Sequence, residues 1–171
     1  SIYPNSAIWG PVIAFQTPYL YKGGSLAIEF RSTSAGSTST GIEATHWSDD
    51  VFGYFTGVNG ANATSGTLEA VPVLRIGFYT AADFASPLCD GVTKVFAAPK
   101  YADIDASSTT STMTQSQPRT MVSVAGAGVF ENLGRGSWIT GMSFRGNNAA
   151  EWPSVATSFS KYDIQLSRSA S

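Results

Sequence analysis

Residues 25–31 read SLAIEFR, and the large apolar side chains of Leu26, Ile28 and Phe30 occupy every second position. Successive side chains of a β-strand point to opposite faces, so this period of two predicts a strand with one buried face. No window of helical length sustains a period of 3.6. The same alternation as in 25–31 recurs in three later stretches, 73–78, 138–145 and 161–167.

Weaker strand signals lie between turn residues rich in Gly, Asn and Ser, in the stretches 11–15, 42–47, 51–56, 92–97 and 120–125. About eight to ten short strands at this spacing favour an all-β, antiparallel β-sandwich of jelly-roll or immunoglobulin-like type. The length of 171 residues fits a single domain over 1–171. Pro18 and Pro72 lack the N–H that a central strand donates, so we expect them at edges, bulges or strand starts.

The composition indicates a compartment outside the cytoplasm. Charged residues make up 13% of the chain, about half of the usual ~25%, and Ser and Thr supply most of the remaining polarity. Cys89 is the only cysteine, so no intramolecular disulfide can form. We therefore expect an extracytoplasmic protein, secreted, periplasmic or on the cell surface, and bacterial in character.

The sequence argues against a nucleic-acid partner and against a membrane-spanning helix. The net charge is −2 and the ten Lys and Arg residues are scattered, whereas nucleic-acid binding needs clustered cations. The longest apolar runs have about five residues, far short of the ~20 that cross a bilayer as a helix. We therefore expect no nucleic-acid partner and no transmembrane segment in this chain.

One Ser/Thr-rich stretch interrupts the strand pattern. Residues 106–117 read ASSTTSTMTQSQ, which cannot bury apolar surface. We interpret 98–120 as a linker or as an extended arm within the domain. An arm of this kind would lie on a neighbouring molecule.

Several of these stretches resemble a β-sandwich domain found in exported bacterial proteins that carry a PEP-CTERM sorting signal. The early part of that domain is similar to 121–130 and 138–145, and its next strand resembles 162–167. Its later part is similar to 17–29, and its closing strand resembles 74–78. The resemblance implies a β-sandwich on an exported protein, in a family whose members rarely have an assigned activity.

The two halves of the resemblance occur here in swapped order. Residues 1–80 are similar to the back half of the domain, and residues 118–171 are similar to its front half. The chain is then circularly permuted, or it spans the junction of two tandem domains, or it shares strands with neighbours in an assembly.

The sequence shows no set of residues that predicts catalysis. A Ser-His-Asp hydrolase needs a histidine base, and His46 is the only histidine. No Gly-x-Ser-x-Gly motif is present. We therefore predict no enzyme activity, no catalytic residue and no cofactor.

Two pairs of residues are candidates for ligand binding. Asp49 and Asp50 are adjacent carboxylates beside a turn, which suits calcium, although calcium needs six to eight oxygens. No complete metal site is predicted. Trp47 and Trp152 lie in loop-like sequence, so we expect them to be exposed and available for stacking on a ligand.

These observations favour a non-catalytic structural or interaction module that binds other protein subunits in a homo- or hetero-oligomeric assembly. A surface layer, a filament or an accessory subunit of a membrane-associated complex would each use such a module. The alternative is a carbohydrate-binding module or adhesin, for which glycans would be the partners.

Overall fold

The computed structural model describes the backbone of residues 9–10, 12–33, 42–45, 52–57, 60–67, 71–80, 95–97, 108–110, 117–130, 133–146 and 159–169. These residues form twelve β-strands, and no helix occurs among them. The strands are β1 (Ile13–Leu20), β2 (Leu26–Ser32), β3 (Ile42–Thr45), β4 (Phe52–Gly57), β5 (Gly66–Thr67), β6 (Val71–Pro72), β7 (Leu74–Tyr79), β8 (Val95–Ala97), β9 (Ser108–Thr110), β10 (Arg119–Ala125), β11 (Trp138–Phe144) and β12 (Tyr162–Arg168).

The strands form three antiparallel sheets. A four-stranded sheet has the order β1-β11-β7-β8, a five-stranded sheet has the order β12-β2-β10-β4-β5, and a three-stranded sheet has the order β6-β3-β9. The all-β, antiparallel prediction is thus confirmed for the described part of the chain. The number of strands exceeds the predicted eight to ten, because β5, β6, β8 and β9 have only two or three residues. Strands this short carry little period-two signal.

β2 is a central strand of the five-stranded sheet, and it has the one buried face that the alternation in 25–31 predicts. Its side chains alternate between buried and half-buried along all seven residues. Leu26, Ile28 and Phe30 are at most 3% exposed. β2 pairs in continuous register with β10 on one side and β12 on the other.

Strands from the two ends of the chain alternate in both larger sheets. β2, from the first part of the chain, lies between β10 and β12 from the last part. β11, from the last part, lies between β1 and β7 from the first part. Described strands from both parts of the chain, before residue 81 and after residue 116, therefore contribute to the same two sheets.

Side chains from the four-stranded and five-stranded sheets share one hydrophobic core. The rings of Phe30 on β2 and Phe144 on β11 pack with centroids 5.7 Å apart and planes tilted by 55°. The buried members of this core are Tyr21, Leu26, Ile28, Phe30, Leu74, Ile76, Phe78, Met121, Ala125, Val129, Phe130, Leu133, Ile139, Met142 and Phe144.

Both prolines occupy positions where a missing N–H is tolerated. Pro18 lies in β1, at the edge of the four-stranded sheet, where the pairing with β11 shifts register between Ala14 and Tyr19. Pro72 ends the two-residue strand β6, at the edge of the three-stranded sheet. The prediction for these two residues is confirmed.

Candidate functional site

The residues proposed for ligand binding from the sequence lie outside the described part of the chain. These are Trp47, Asp49, Asp50 and Trp152, and His46 lies outside it as well. The proposals for calcium and for stacking at these positions remain predictions. In the predicted arm, 98–120, residues Ser108–Thr110 form β9 and pair with β3, and Arg119 begins β10. Most of the remaining arm lies outside the described residues.

The outer edges of the three sheets differ in length and regularity. β5, β6, β8 and β9 end their sheets with two or three residues each. β1 is longer, but its register shift and Pro18 interrupt it. β12 has seven residues, contains no proline and pairs with β2 without a register shift. Short, bulged or proline-containing edges resist pairing with another chain, so β12 is the edge that lacks these protections.

The hydrogen bonds at the two ends of β12 show which backbone groups face outward. The Thr33 amide donates to the Lys161 carbonyl at 3.0 Å, and the Ser169 amide donates to the Ser25 carbonyl at 2.9 Å. In an antiparallel pair, every second residue is hydrogen-bonded to the partner strand. The backbone N–H and C=O groups of Asp163, Gln165 and Ser167 therefore point to β2.

The intervening residues of β12 direct their N–H and C=O groups away from β2. Ile164 and Leu166 are such residues, and no described strand pairs with this outer side of β12. Their side chains are half-buried against the core. The opposite face of β12 carries the exposed side chains of Gln165 and Ser167. An added strand would therefore find apolar side chains on one face and polar side chains on the other.

Trp138 is the one exposed side chain among the described large hydrophobic residues, at 36% of its full exposure. It is the first residue of β11, and its register partners are Leu20 on β1 and Tyr79 on β7. Both partners are half-buried. An indole in this position offers a flat apolar face to a ligand.

A tight corner connects β1 to β2 close to Trp138. The Tyr21 hydroxyl donates to the Gly24 carbonyl at 2.6 Å. The Tyr21 amide donates to Ser137, and the Gly136 amide donates to Tyr21, at 2.9 and 2.8 Å. Gly23 and Gly24 both have φ of 87°, a backbone conformation that residues with a β-carbon rarely adopt. The corner is thus fixed to the turn that leads into β11.

Two arginines lie against this corner. A β-carbon added to Gly23 would be 3.8 Å from the aliphatic stem of Arg135, and one added to Gly24 would be 3.0 Å from Nε of Arg168. Lys22 is exposed beside them, as are Arg135 and Arg168. We call Lys22, Arg135 and Arg168 the basic corner. Burial raises the pKa of the Tyr21 hydroxyl at this corner, Tyr19 raises it further, and the positive charge of Arg168 opposes the rise.

A second pair of arginines has a structural role on the outer face of the four-stranded sheet. The guanidinium of Arg75 lies 4.7 Å from the centre of the Trp9 ring, and its Nε donates to Oγ of Ser143 at 2.9 Å. Burial lowers the pKa of Arg75. Arg145 is 1% exposed, and its amide donates to the Val73 carbonyl. These contacts join the segment around Trp9 to β7 and β11.

No group of three or more His, Cys, Asp or Glu side chains that could hold a metal occurs among the described residues. The described part of the chain also has no helix that is long and apolar enough to span a membrane.

Comparison with known proteins yields no relative for this chain. No model of a protein family matches it, and neither a curated protein nor a solved structure matches it. The resemblance to the PEP-CTERM-associated domain therefore remains a prediction from the sequence.

Proposed function

We propose that this chain is a non-catalytic structural or interaction module outside the cytoplasm, and that it binds other protein subunits through the outer edge of β12. The observation that carries the proposal is the seven-residue edge with continuous register and no proline. An extended segment of a partner would add to this edge as a further antiparallel strand. Main-chain hydrogen bonds would then supply affinity, and the alternating side chains would supply specificity.

We propose further that the four-stranded and five-stranded sheets face each other as a β-sandwich, with jelly-roll or immunoglobulin-like connectivity. The core shared by the two sheets supports this arrangement, as does the contact of Phe30 with Phe144. Sheets packed in this way lie about 10 Å apart. In such a sandwich, a strand added to β12 would extend the five-stranded sheet and cover the edge of the core.

Pairing within the chain supports circular permutation as the explanation of the swapped order. β2 and β11 each pair on both sides with strands of this same chain. A junction of two tandem domains, or exchange of strands with neighbours, would instead leave such strands to pair with segments from elsewhere.

The proposal can be tested with two lysine substitutions on adjacent residues of β12. Ile164→Lys places an ammonium group on the half-buried core face, where an added strand would bury it, and natural edge strands use inward charges in this way. Gln165→Lys adds the same charge on the exposed face and serves as the matched control. The two variants and the parent chain are compared by sedimentation over a wide range of concentration and by cross-linking to subunits on the native cell surface.

We expect the parent chain and Gln165→Lys to assemble or to cross-link to a defined protein, and Ile164→Lys to lose this association while keeping the circular dichroism spectrum of a β protein. A parent chain that stays monomeric at high concentration and cross-links to nothing would overturn the proposal. Equal association by the two lysine variants would place the interface elsewhere than β12.

The exposure of Trp138 favours a second candidate function, carbohydrate binding, as in a carbohydrate-binding module or adhesin. Its indole would stack on a sugar ring. A glycan array probed with and without calcium tests this function. The comparison of the two conditions also tests the proposed calcium site at Asp49 and Asp50. We expect hits that Trp138→Ala abolishes, and an array without hits under both conditions would exclude carbohydrate binding.

A further inference from the structure

We propose that the basic corner, Lys22, Arg135 and Arg168, together with the exposed indole of Trp138, binds an acidic polysaccharide through its carboxylate groups. The inference rests on the second candidate function, carbohydrate binding, and narrows it to polymers of uronic acid type.

The three cations converge on one short piece of backbone. The stem of Arg135 lies over Gly23 and Nε of Arg168 lies beside Gly24, while Lys22 directly precedes these glycines. Arg168 approaches the corner from β12 and Arg135 from the turn before β11, and only the approach of Arg168 to Gly24 is tight enough to be hindered by a β-carbon. The convergence is a consequence of the fold, since the three residues are far apart in the sequence.

The charges at this corner are available to a ligand. The ion pairs of the described acidic side chains are made with other cations. Glu29 pairs with Arg31 at 2.6 Å, and Asp163 pairs with Lys161 at 3.1 Å. No ion pair to Lys22, Arg135 or Arg168 occurs within the described ranges. Guanidinium groups bind carboxylates with two parallel hydrogen bonds, which makes arginine suited to a polymer that bears one carboxylate on each sugar.

Trp138 favours a polysaccharide over other polyanions. Trp138 directly follows Ser137, whose carbonyl accepts the hydrogen bond of the Tyr21 amide, so the backbone of Trp138 is joined to the corner. A sugar ring presents C–H groups that pack on an aromatic face, whereas a lipid headgroup or a phosphate needs only the cations. The combination of a flat exposed indole with three cations therefore matches an acidic sugar polymer.

The test compares charge removal at the two ends of β12. Arg168→Gln removes a cation from the basic corner, and Lys161→Gln removes one from the residue that precedes the same strand, about 23 Å away at the rise of a β-strand. Binding of polygalacturonate is measured by titration calorimetry for these variants, for Trp138→Ala and for the triple variant Lys22→Gln, Arg135→Gln, Arg168→Gln. Dextran serves as the neutral polymer, and vesicles with anionic lipid and a single-stranded oligonucleotide serve as competing polyanions.

We expect the affinity for polygalacturonate to fall about threefold in Arg168→Gln and tenfold or more in the triple variant, to fall in Trp138→Ala, and to be unchanged in Lys161→Gln. Binding should also weaken between 50 mM and 500 mM salt, since exposed charges are screened. Unchanged thermal unfolding of each variant verifies that the fold is intact.

The remaining outcomes separate the inference from the function on which it rests. Binding of dextran as tight as that of polygalacturonate, or an equal loss in Lys161→Gln, overturns the acidic ligand but leaves carbohydrate binding in place. Absence of binding to both polymers overturns the inference, and together with an empty glycan array it removes carbohydrate binding as well. Tighter binding to anionic vesicles or to the oligonucleotide assigns the corner to a different polyanion and overturns the proposal.

Discussion

Gly141 of β11 lies so close to Ile13 of β1 that a β-carbon added to Gly141 would stand 2.6 Å from the carbonyl oxygen of Ile13. The same β-carbon would be 3.2 Å from Cγ1 of Val12. The pairing of β11 is also irregular on its other side. There its register against β7 shifts between Ile139 and Gly141. The absence of a side chain at Gly141 thus allows the edge strand β1 to pair with β11.

Replacing Gly141 by alanine should destabilise the chain by about 1–3 kcal/mol, because backbone atoms of β1 would have to move. Gly128 is the matched control, since it lies in an exposed turn and a β-carbon there would meet nothing within 4 Å. Gly128→Ala should leave stability within about 1 kcal/mol of the parent. Urea unfolding of both variants measures the difference, and equal stabilities would show that β1 does not pack on β11 as described.

The contact of Phe30 with Phe144 predicts a measurable coupling between the two larger sheets. Both side chains are at most 5% exposed, so replacement of either by alanine should cost about 3–5 kcal/mol. Because the ring contact is lost only once in the double variant, the double variant should lose about 0.5–1.5 kcal/mol less than the sum of the two single losses. A double-mutant cycle in urea measures this term, with the pairs Phe30→Leu and Phe144→Leu available if the alanine variants do not fold. Additive losses would place the rings out of contact and would argue against the sandwich.

The sequence could predict the type of secondary structure because the alternation is strong where a strand is long. The stretches 25–31, 73–78 and 138–145 became β2, β7 and β11, which supply much of the core. The sequence could not predict the order of the strands in the sheets. β12 shows the same alternation as β2, yet β2 is central and β12 lies at an edge, because pairing depends on which segments meet in space.

The candidate site was harder to predict for the same reason. Lys22, Arg135 and Arg168 are scattered in the sequence, so a search for clustered charge finds no patch, and only the corner between β1 and β2 brings them together. Trp138 heads an alternating strand, which resembles a core position. Ile139 is buried in the core instead, and the register shift between Ile139 and Gly141 breaks the alternation that would have buried Trp138.

The stability of the chain should fall at alkaline pH through Tyr162. Burial raises the pKa of this phenol above its ordinary value of about 10. Above that pH the unfolded chain loses the proton while the folded chain keeps it, so the stabilisation present below pH 10 is lost as the pH rises toward the pKa of the folded state. Tyr162→Phe should remove this dependence, by up to about 1.4 kcal/mol for each pH unit.

Urea unfolding of the parent chain and of Tyr162→Phe between pH 8 and pH 12 measures the effect. Tyr21, whose pKa burial also raises, remains in both proteins and should leave a smaller common slope. Parallel curves for the two proteins would mean that the Tyr162 hydroxyl is not withdrawn from water.

Hydrogen exchange along β12 should alternate from residue to residue. The amides of Asp163, Gln165 and Ser167 are directed to β2, and the amides of Ile164 and Leu166 are directed to the open edge. Exchange of the first group requires the strand to open, whereas no described strand holds the second group, so we expect those amides to contact water in the free chain. We therefore expect slow exchange at 163, 165 and 167 and fast exchange at 164 and 166, as measured by nuclear magnetic resonance.

Association with a partner should change the exchange rates of the outward-facing amides of β12 and leave those of the β2-facing amides nearly the same. If an added strand docks on β12, the amides of Ile164 and Leu166 become donors in a new ladder and their exchange slows to the rate of their neighbours. The β2-facing amides are already bonded and should slow little. Uniformly slow exchange in the isolated monomer would mean that another segment of the chain already covers this edge, and the docking site would then have to be sought elsewhere.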